Sequence, residues 1–83
     1  MKVNIKYFAS IREALGQSSE TRDTQAKTVA ALRDELLVLS PVHAQALSRD
    51  KPVRMALDQT LCDESALLQE GCELAFFPPV TGG

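Results

Sequence analysis

Near the start of the chain, apolar residues fall on every second position: Val3, Ile5 and Tyr7 alternate with Lys2, Asn4 and Lys6. A period of two puts one set on each face of a strand, so a half-buried β-strand is predicted here. Phe8 breaks the pattern, because the same alternation places this large aromatic on the polar side. Ser10, Ile11, Arg12 and Glu13 have the spacing of a capping box, and Gly16 follows Leu15 as a stop, which predicts a single helical turn. Gln17 to Gln25 (QSSETRDTQ) has no apolar residue, so a strand there would be an exposed edge strand.

From Thr28 the period changes from two to 3.6. Val29, Leu32, Leu36 and Leu39 lie within an arc of about 80° on a helix, with Thr28 as N-cap and Ser40-Pro41 ending the run. This is the one substantial helix predicted. Ser40 also caps a second, short helix with Pro41 at its first position, reaching about Leu47 before the polar turn Ser48 to Lys51. Val53, Met55 and Leu57 then alternate with Arg54 and Ala56, and Asp58-Gln59 turns tightly into Thr60-Leu61-Cys62, which predicts a hairpin. Asp63 to Leu67 opens like a short capped turn, Glu70-Gly71 breaks the chain, and Glu73 to Phe77 is the last strand. Strands on both sides of one amphipathic helix imply a small mixed sheet curled across it, an α+β domain.

Composition acts mainly by exclusion. A chain of 83 residues forms one domain with one small core and little room for a deep private active site, so its work is expected to involve a partner. Hydrophobic residues at 45% and charged residues at 24% are ordinary for a folded domain. Nine Lys and Arg stand against 11 Asp and Glu, for a net charge of −2 and a pI near 5.2, and the basic residues are scattered. Nucleic acid is therefore not expected as a ligand. No stretch approaches the ~20 apolar residues that span a bilayer, and none resembles the apolar core of a signal peptide. A cytoplasmic location away from membranes follows as an expectation. Cys62 and Cys72 lack CxxC spacing, so free thiols behaving as small apolar side chains are expected. His43, the only histidine, falls in the short helix, where a packing or surface role is expected. No metal site can be assembled from it and the two cysteines.

The last strand and the residues beyond it carry the chemistry. Cys72, Leu74 and Phe76 share one face, whereas Phe77 shares the other with Glu73 and is expected to face solvent, as Phe8 is. If the two strands are neighbours, these aromatics form an exposed apolar cluster joined by Leu61, the mark of a partner surface. Pro78-Pro79 cannot donate to a ladder and favours a stiff, extended backbone, so the β-domain is expected to span 1–77 and a flexible tail 78–83. Those six residues reach about 20 Å when extended, comparable with the depth of another protein's active-site channel. Gly82 and Gly83 would present only bare backbone to it. Two specified positions are both glycine by chance about 0.5% of the time at ~7% usage; joined to the Pro-Pro stop and the aromatic pair, the ending gains specificity. The reactive atom such a tail can deliver is its terminal carboxylate, a poor electrophile that needs activation, most simply by adenylation with ATP.

At this point the residues resemble a known family. The ending Phe76-Phe77-Pro78-Pro79-Val80-Thr81-Gly82-Gly83, the opening Tyr7-Phe8-Ala9 before Ile11-Arg12-Glu13-Ala14-Leu15-Gly16, and Thr28-Val29 leading Leu32-Arg33 into the helix are similar to the small subunit of molybdopterin synthase. The resemblance covers nearly the whole chain and departs from the family at Cys72, where Asp is common, and at Asp58, where Asn is frequent; both are turn positions. It implies a ubiquitin-like β-grasp fold with about five strands over one main helix. It also implies a sulfur carrier, the sulfur-donating subunit of a sulfurtransferase. An E1-like activating enzyme would use ATP to adenylate Gly83, and sulfur from a persulfide donor would convert it to a thiocarboxylate. The large subunit would then receive Pro79, Val80, Thr81 and Gly82 in its active site, docked on Phe8, Leu61 and Phe77, in an assembly of two small and two large subunits. Sulfur would pass to cyclic pyranopterin monophosphate to build the molybdopterin dithiolene, with no cofactor bound by the small subunit itself. A thiamin-type sulfur carrier and a ubiquitin-like protein modifier share the fold and the Gly-Gly ending and remain as alternatives.

Overall fold

Eight elements follow one another in the computed structural model, which describes residues 1–79. They are β1 (Lys2–Tyr7), α1 (Ala9–Leu15), β2 (Ser19–Asp23), α2 (Val29–Leu37), α3 (Pro41–Ala46), β3 (Arg54–Leu57), β4 (Thr60–Cys62) and β5 (Glu73–Phe77). The expectations for Val80, Thr81, Gly82 and Gly83 lie outside the described residues. The five strands form one sheet in the order β2-β1-β5-β3-β4. β1 runs parallel to β5, with Tyr7 opposite Phe76, and every other pairing is antiparallel.

The alternation in β1 holds: Val3, Ile5 and Tyr7 are buried and Lys2, Asn4 and Lys6 exposed. These three join Leu74, Phe76 and Met55 beneath the helices, packed against Val29, Leu32 and Leu36 of α2 and against Leu47. Tyr7 and Phe76 stack with ring centroids 6.2 Å apart at the centre of this core. Thr28 caps α2 by accepting from the Ala31 N–H at 3.2 Å. Ser40 caps α3 by accepting from the His43 N–H at 3.1 Å.

Several expectations are corrected. α1 is a two-turn helix whose N-cap is Phe8, with no side-chain cap bond, so the Ser10 capping box does not form. The Phe8 carbonyl accepts from the Ile11 and Arg12 N–H groups instead, and Gly16 closes the helix in the left-handed conformation at φ 71°. Leu39 is exposed because α2 ends at Leu37, two residues before the apolar arc does. Arg33 is buried on α2, at the i+4 position of the stripe begun by Val29. Its Nε donates to the Leu47 carbonyl at 2.9 Å and its Nη2 to the Ser48 carbonyl at 3.0 Å, while Nη1 meets Glu64 at 3.3 Å. The polar edge strand β2 forms as expected, but Glu20 and Arg22 turn inward to meet the helices. Arg22 pairs with Glu35 of α2 at 3.0 Å, and Glu20 faces His43 of α3 at 3.4 Å. Inward-pointing charges of this kind discourage further pairing at an open edge.

Candidate functional site

The sheet's outer face is the one without helices, and its register shows which residues gather there. Opposed residues share a face, so Ser19, Lys6, Ala75, Ala56 and Leu61 form one row across five strands. The next row toward the C-terminal end of β5 holds Phe77 and, opposite it, Arg54. Phe8 continues β1 beside Phe77, its N–H donating to the Phe76 carbonyl at 3.2 Å. Phe8 is 44% exposed and Leu61 is 62% exposed. Phe77 departs from its expectation of facing solvent and is half-buried. Between two adjoining chain segments, an interior strand of the sheet leaves little of a ring uncovered. Ala75, flanked in register by Lys6 and Ala56, is buried even though it lies on the outer face.

Local backbone geometry sets Phe8 apart. Ala9 takes a φ of 51°, a left-handed conformation that costs a non-glycine residue roughly 1–2 kcal/mol. That turn carries the chain from β1 into α1 in a single residue and leaves Phe8 at the rim of the outer face. No periodicity reveals it, since an Ala at such a position looks like a helix former. The hairpin from β3 to β4 that presents Leu61 uses the same device twice, with φ of 49° at Asp58 and 70° at Gln59. Two positive values are what a type I′ turn requires. Asp58 earns its place through its side chain, which accepts from the Glu73 N–H at 2.9 Å and ties the turn to β5.

β5 ends at Phe77, and Pro78 and Pro79 come next, both half-buried. Charges around this point are mostly basic. Lys6 pairs with Glu73 at 3.3 Å, whereas Lys51 and Arg54 make no ion pair with any described residue. The nucleophilic side chains are poorly placed for chemistry of their own. Both thiols are free, with Cys72 buried and Cys62 partly so, and burial, then the Asp63 charge, pushes the Cys62 thiol up. That keeps it protonated and unreactive. His43 is held between Ser40 Oγ, 2.8 Å from its Nδ1, and Glu20. No cluster of three potential metal ligands exists among the described residues, and no helix among them is long and apolar enough to cross a membrane.

This geometry places the exposed Phe8 beside the end of β5, with exposed Leu61 on the same face. The model of the ThiS family matches residues 5–83. The chain belongs to the ThiS family. This ThiS family member is 38% identical over 81 residues to the molybdopterin synthase sulfur carrier subunit of Escherichia coli, across 98% of this chain and 99% of that one. It is 36% identical over 81 residues to the subunit of the same name from Haemophilus influenzae, with the same coverage. Among solved structures it is similar to SAMP1 from Haloferax volcanii, with a TM-score of 0.77 and 25% identity over the whole of both chains. The fold is the ubiquitin-like β-grasp expected from the resemblance.

Proposed function

We propose that this ThiS family member is the sulfur-carrier small subunit of molybdopterin synthase, with Gly83 as the group that is activated and sulfurated. The observation that carries the reading is structural: the sheet ends at Phe77, a Pro-Pro stop comes directly after it, and the exposed Phe8 adjoins that exit, with exposed Leu61 on the same face two strands away. The full-length likeness to two subunits of that name supports it. The division of labour then follows from chemistry. Residues 1–77 form the body that a partner grips, and Pro79, Val80, Thr81 and Gly82 lead the reactive end into the partner's site.

A carboxylate resists nucleophiles because its charge is delocalised over two oxygens. In the proposed sequence a Gly83 oxygen attacks the α-phosphorus of ATP on an adenylating enzyme, and pyrophosphate leaves. Sulfur from a persulfide donor then displaces AMP at the carbonyl carbon, and reductive cleavage of the sulfur–sulfur bond by a thiol leaves the thiocarboxylate. A thiocarboxylate is ionised at neutral pH, and its sulfur is a soft, strong nucleophile where a carboxylate oxygen is not. The large subunit, docked on Phe8, Leu61 and Phe77, supplies the pocket for cyclic pyranopterin monophosphate. Two deliveries build the dithiolene, in keeping with an assembly of two small and two large subunits.

The test is a molybdopterin-forming assay with purified large subunit, precursor and chemically thiocarboxylated small subunit. A native terminus should yield product, and a chain extended by one residue past Gly83, verified intact by mass and bound equally well, should yield none. Undiminished product from the extended chain would sink the proposal. The likeness to SAMP1 keeps a ubiquitin-like modifier as the second reading. Incubation with the adenylating enzyme, ATP and a sulfur donor separates the two by mass. A carrier exchanges one oxygen for sulfur, whereas a modifier forms amide adducts on lysines of other proteins.

A further inference from the structure

On the other side of the tail root from Phe8 and Phe77 lies a groove of about 260 Å³. Ile11 and Ala14 of α1, Ala46 of α3, Val53, and Pro78 with Pro79 form its mainly apolar walls, and Lys51 stands at its edge. We infer that this groove is a second anchor for the large subunit that receives the tail, taking one apolar side chain from it with a carboxylate beside that side chain on Lys51. The inference rests on the carrier reading.

Its occupant is fixed by position. Pro78 and Pro79 are walls of the groove, so a protein that encloses the chain beyond Pro79 has the mouth of its channel across it. Phe8 leads directly into α1 and Phe77 directly into Pro78, so the outer patch and the groove are two sides of one tail root. A partner gripping both holds the exit of the tail from opposite sides and fixes its direction. A small-molecule site would need several convergent polar groups to orient a ligand. Here the polar side chains are only the Ser10 hydroxyl and the exposed Lys51 ammonium beside apolar walls, and no described residue carries a buried side-chain polar atom without a partner. The charge is available as well: Lys51 has no ion pair with a described residue, and although the same holds for Lys2, Arg12, Lys27 and Arg54, Lys51 is the one of these that lines the groove.

Ala14 and Lys51 are exposed, so both accept substitution without disturbing the core. Binding of purified large subunit would be measured for Ala14→Trp, Ala14→Glu and Lys51→Glu. Phe8→Asp would serve as the variant of the outer patch. Val38→Glu, at a position 84% exposed beyond the end of α2, would be the control. All should keep the thermal midpoint of the parent. Each groove variant should bind about tenfold more weakly, the size expected of an anchor in a desolvated pocket. The Lys51→Glu loss should shrink at high salt and the Ala14→Trp loss should not, because salt screens exposed charges but not steric overlap. Parental affinity in the groove variants with weakened binding in Phe8→Asp would overturn the inference and leave the carrier reading standing. No binding of the unaltered chain at all would remove the carrier reading itself. Self-association of the free chain that the groove variants abolish would assign the groove to a second copy and also overturn the inference.

Discussion

Tyr7 is the only tyrosine and shows how one residue can serve core and rim at once. Its ring is buried against Phe76, and its hydroxyl donates to Glu20 at 2.8 Å. Burial, then the hydrogen bond and charge of Glu20, push its pKa well above the ordinary tyrosine range. A folded pKa above the unfolded one means that the folded chain holds the phenolic proton more tightly. The resulting stability is complete below the unfolded value of ~10 and is lost as pH rises above it. Denaturant midpoints between neutral and strongly alkaline pH should therefore fall once ~10 is passed, and Tyr7→Phe should flatten that part of the decline. An unchanged slope in the variant would place the sensitivity elsewhere. The neighbouring Phe8 and Phe77 divide differently: Phe8 is exposed, whereas Phe77 is half-buried.

At the scale of elements, α2 packs its apolar stripe across the sheet. Leu32 and Leu36 are wholly buried against the sheet. Leu36→Ala should cost roughly 2–5 kcal/mol, the range for truncating a core leucine that leaves a cavity; chemical denaturation measures it, and a loss below about 1 kcal/mol would contradict the packing described. The periodicity of α2 and β1 and the turn at Gly16 were legible because burial of one face imposes its period on the sequence. α1 was legible only as a single turn, because its start is set by a left-handed Ala9 and by the Phe8 carbonyl rather than by a capping side chain. Arg33 was hidden for a related reason. It occupies an apolar position of the helix stripe, and only the carbonyls of Leu47 and Ser48, supplied by a later loop, make its burial tolerable. Burial lowers the pKa of its guanidinium against the opposing pull of Glu64.

For the whole molecule, the parallel pairing of β1 with β5 is the decisive contact, since it joins the two ends of the chain at the middle of the sheet. The core cluster and all five strands lie within residues 1–77. Deleting residues 80–83 should therefore leave the thermal midpoint within a few degrees of the parent, by calorimetry, while abolishing sulfur transfer. A collapse of the midpoint would show that the tail contributes to the fold. On the carrier reading, that outcome would separate the stable body from the end that reacts.

The sequence by itself determined the elements with a buried face, because alternation and helical periodicity are local consequences of packing on one side. It also determined the Pro-Pro stop, a consequence of a missing N–H and a fixed φ. The register it could not determine. Whether Phe8 and Phe77 are neighbours depends on the order β2-β1-β5-β3-β4, a choice made by contacts about seventy residues apart. The same pairing decided that Phe77 is half-covered and that Ala75 is buried on the outer face, and it put Arg54 opposite Phe77. The groove was beyond the sequence too, since its walls come from two helices, the loop before β3 and the tail root. Local pattern specifies which residues leave water, but only the assembled sheet specifies which surfaces they leave behind.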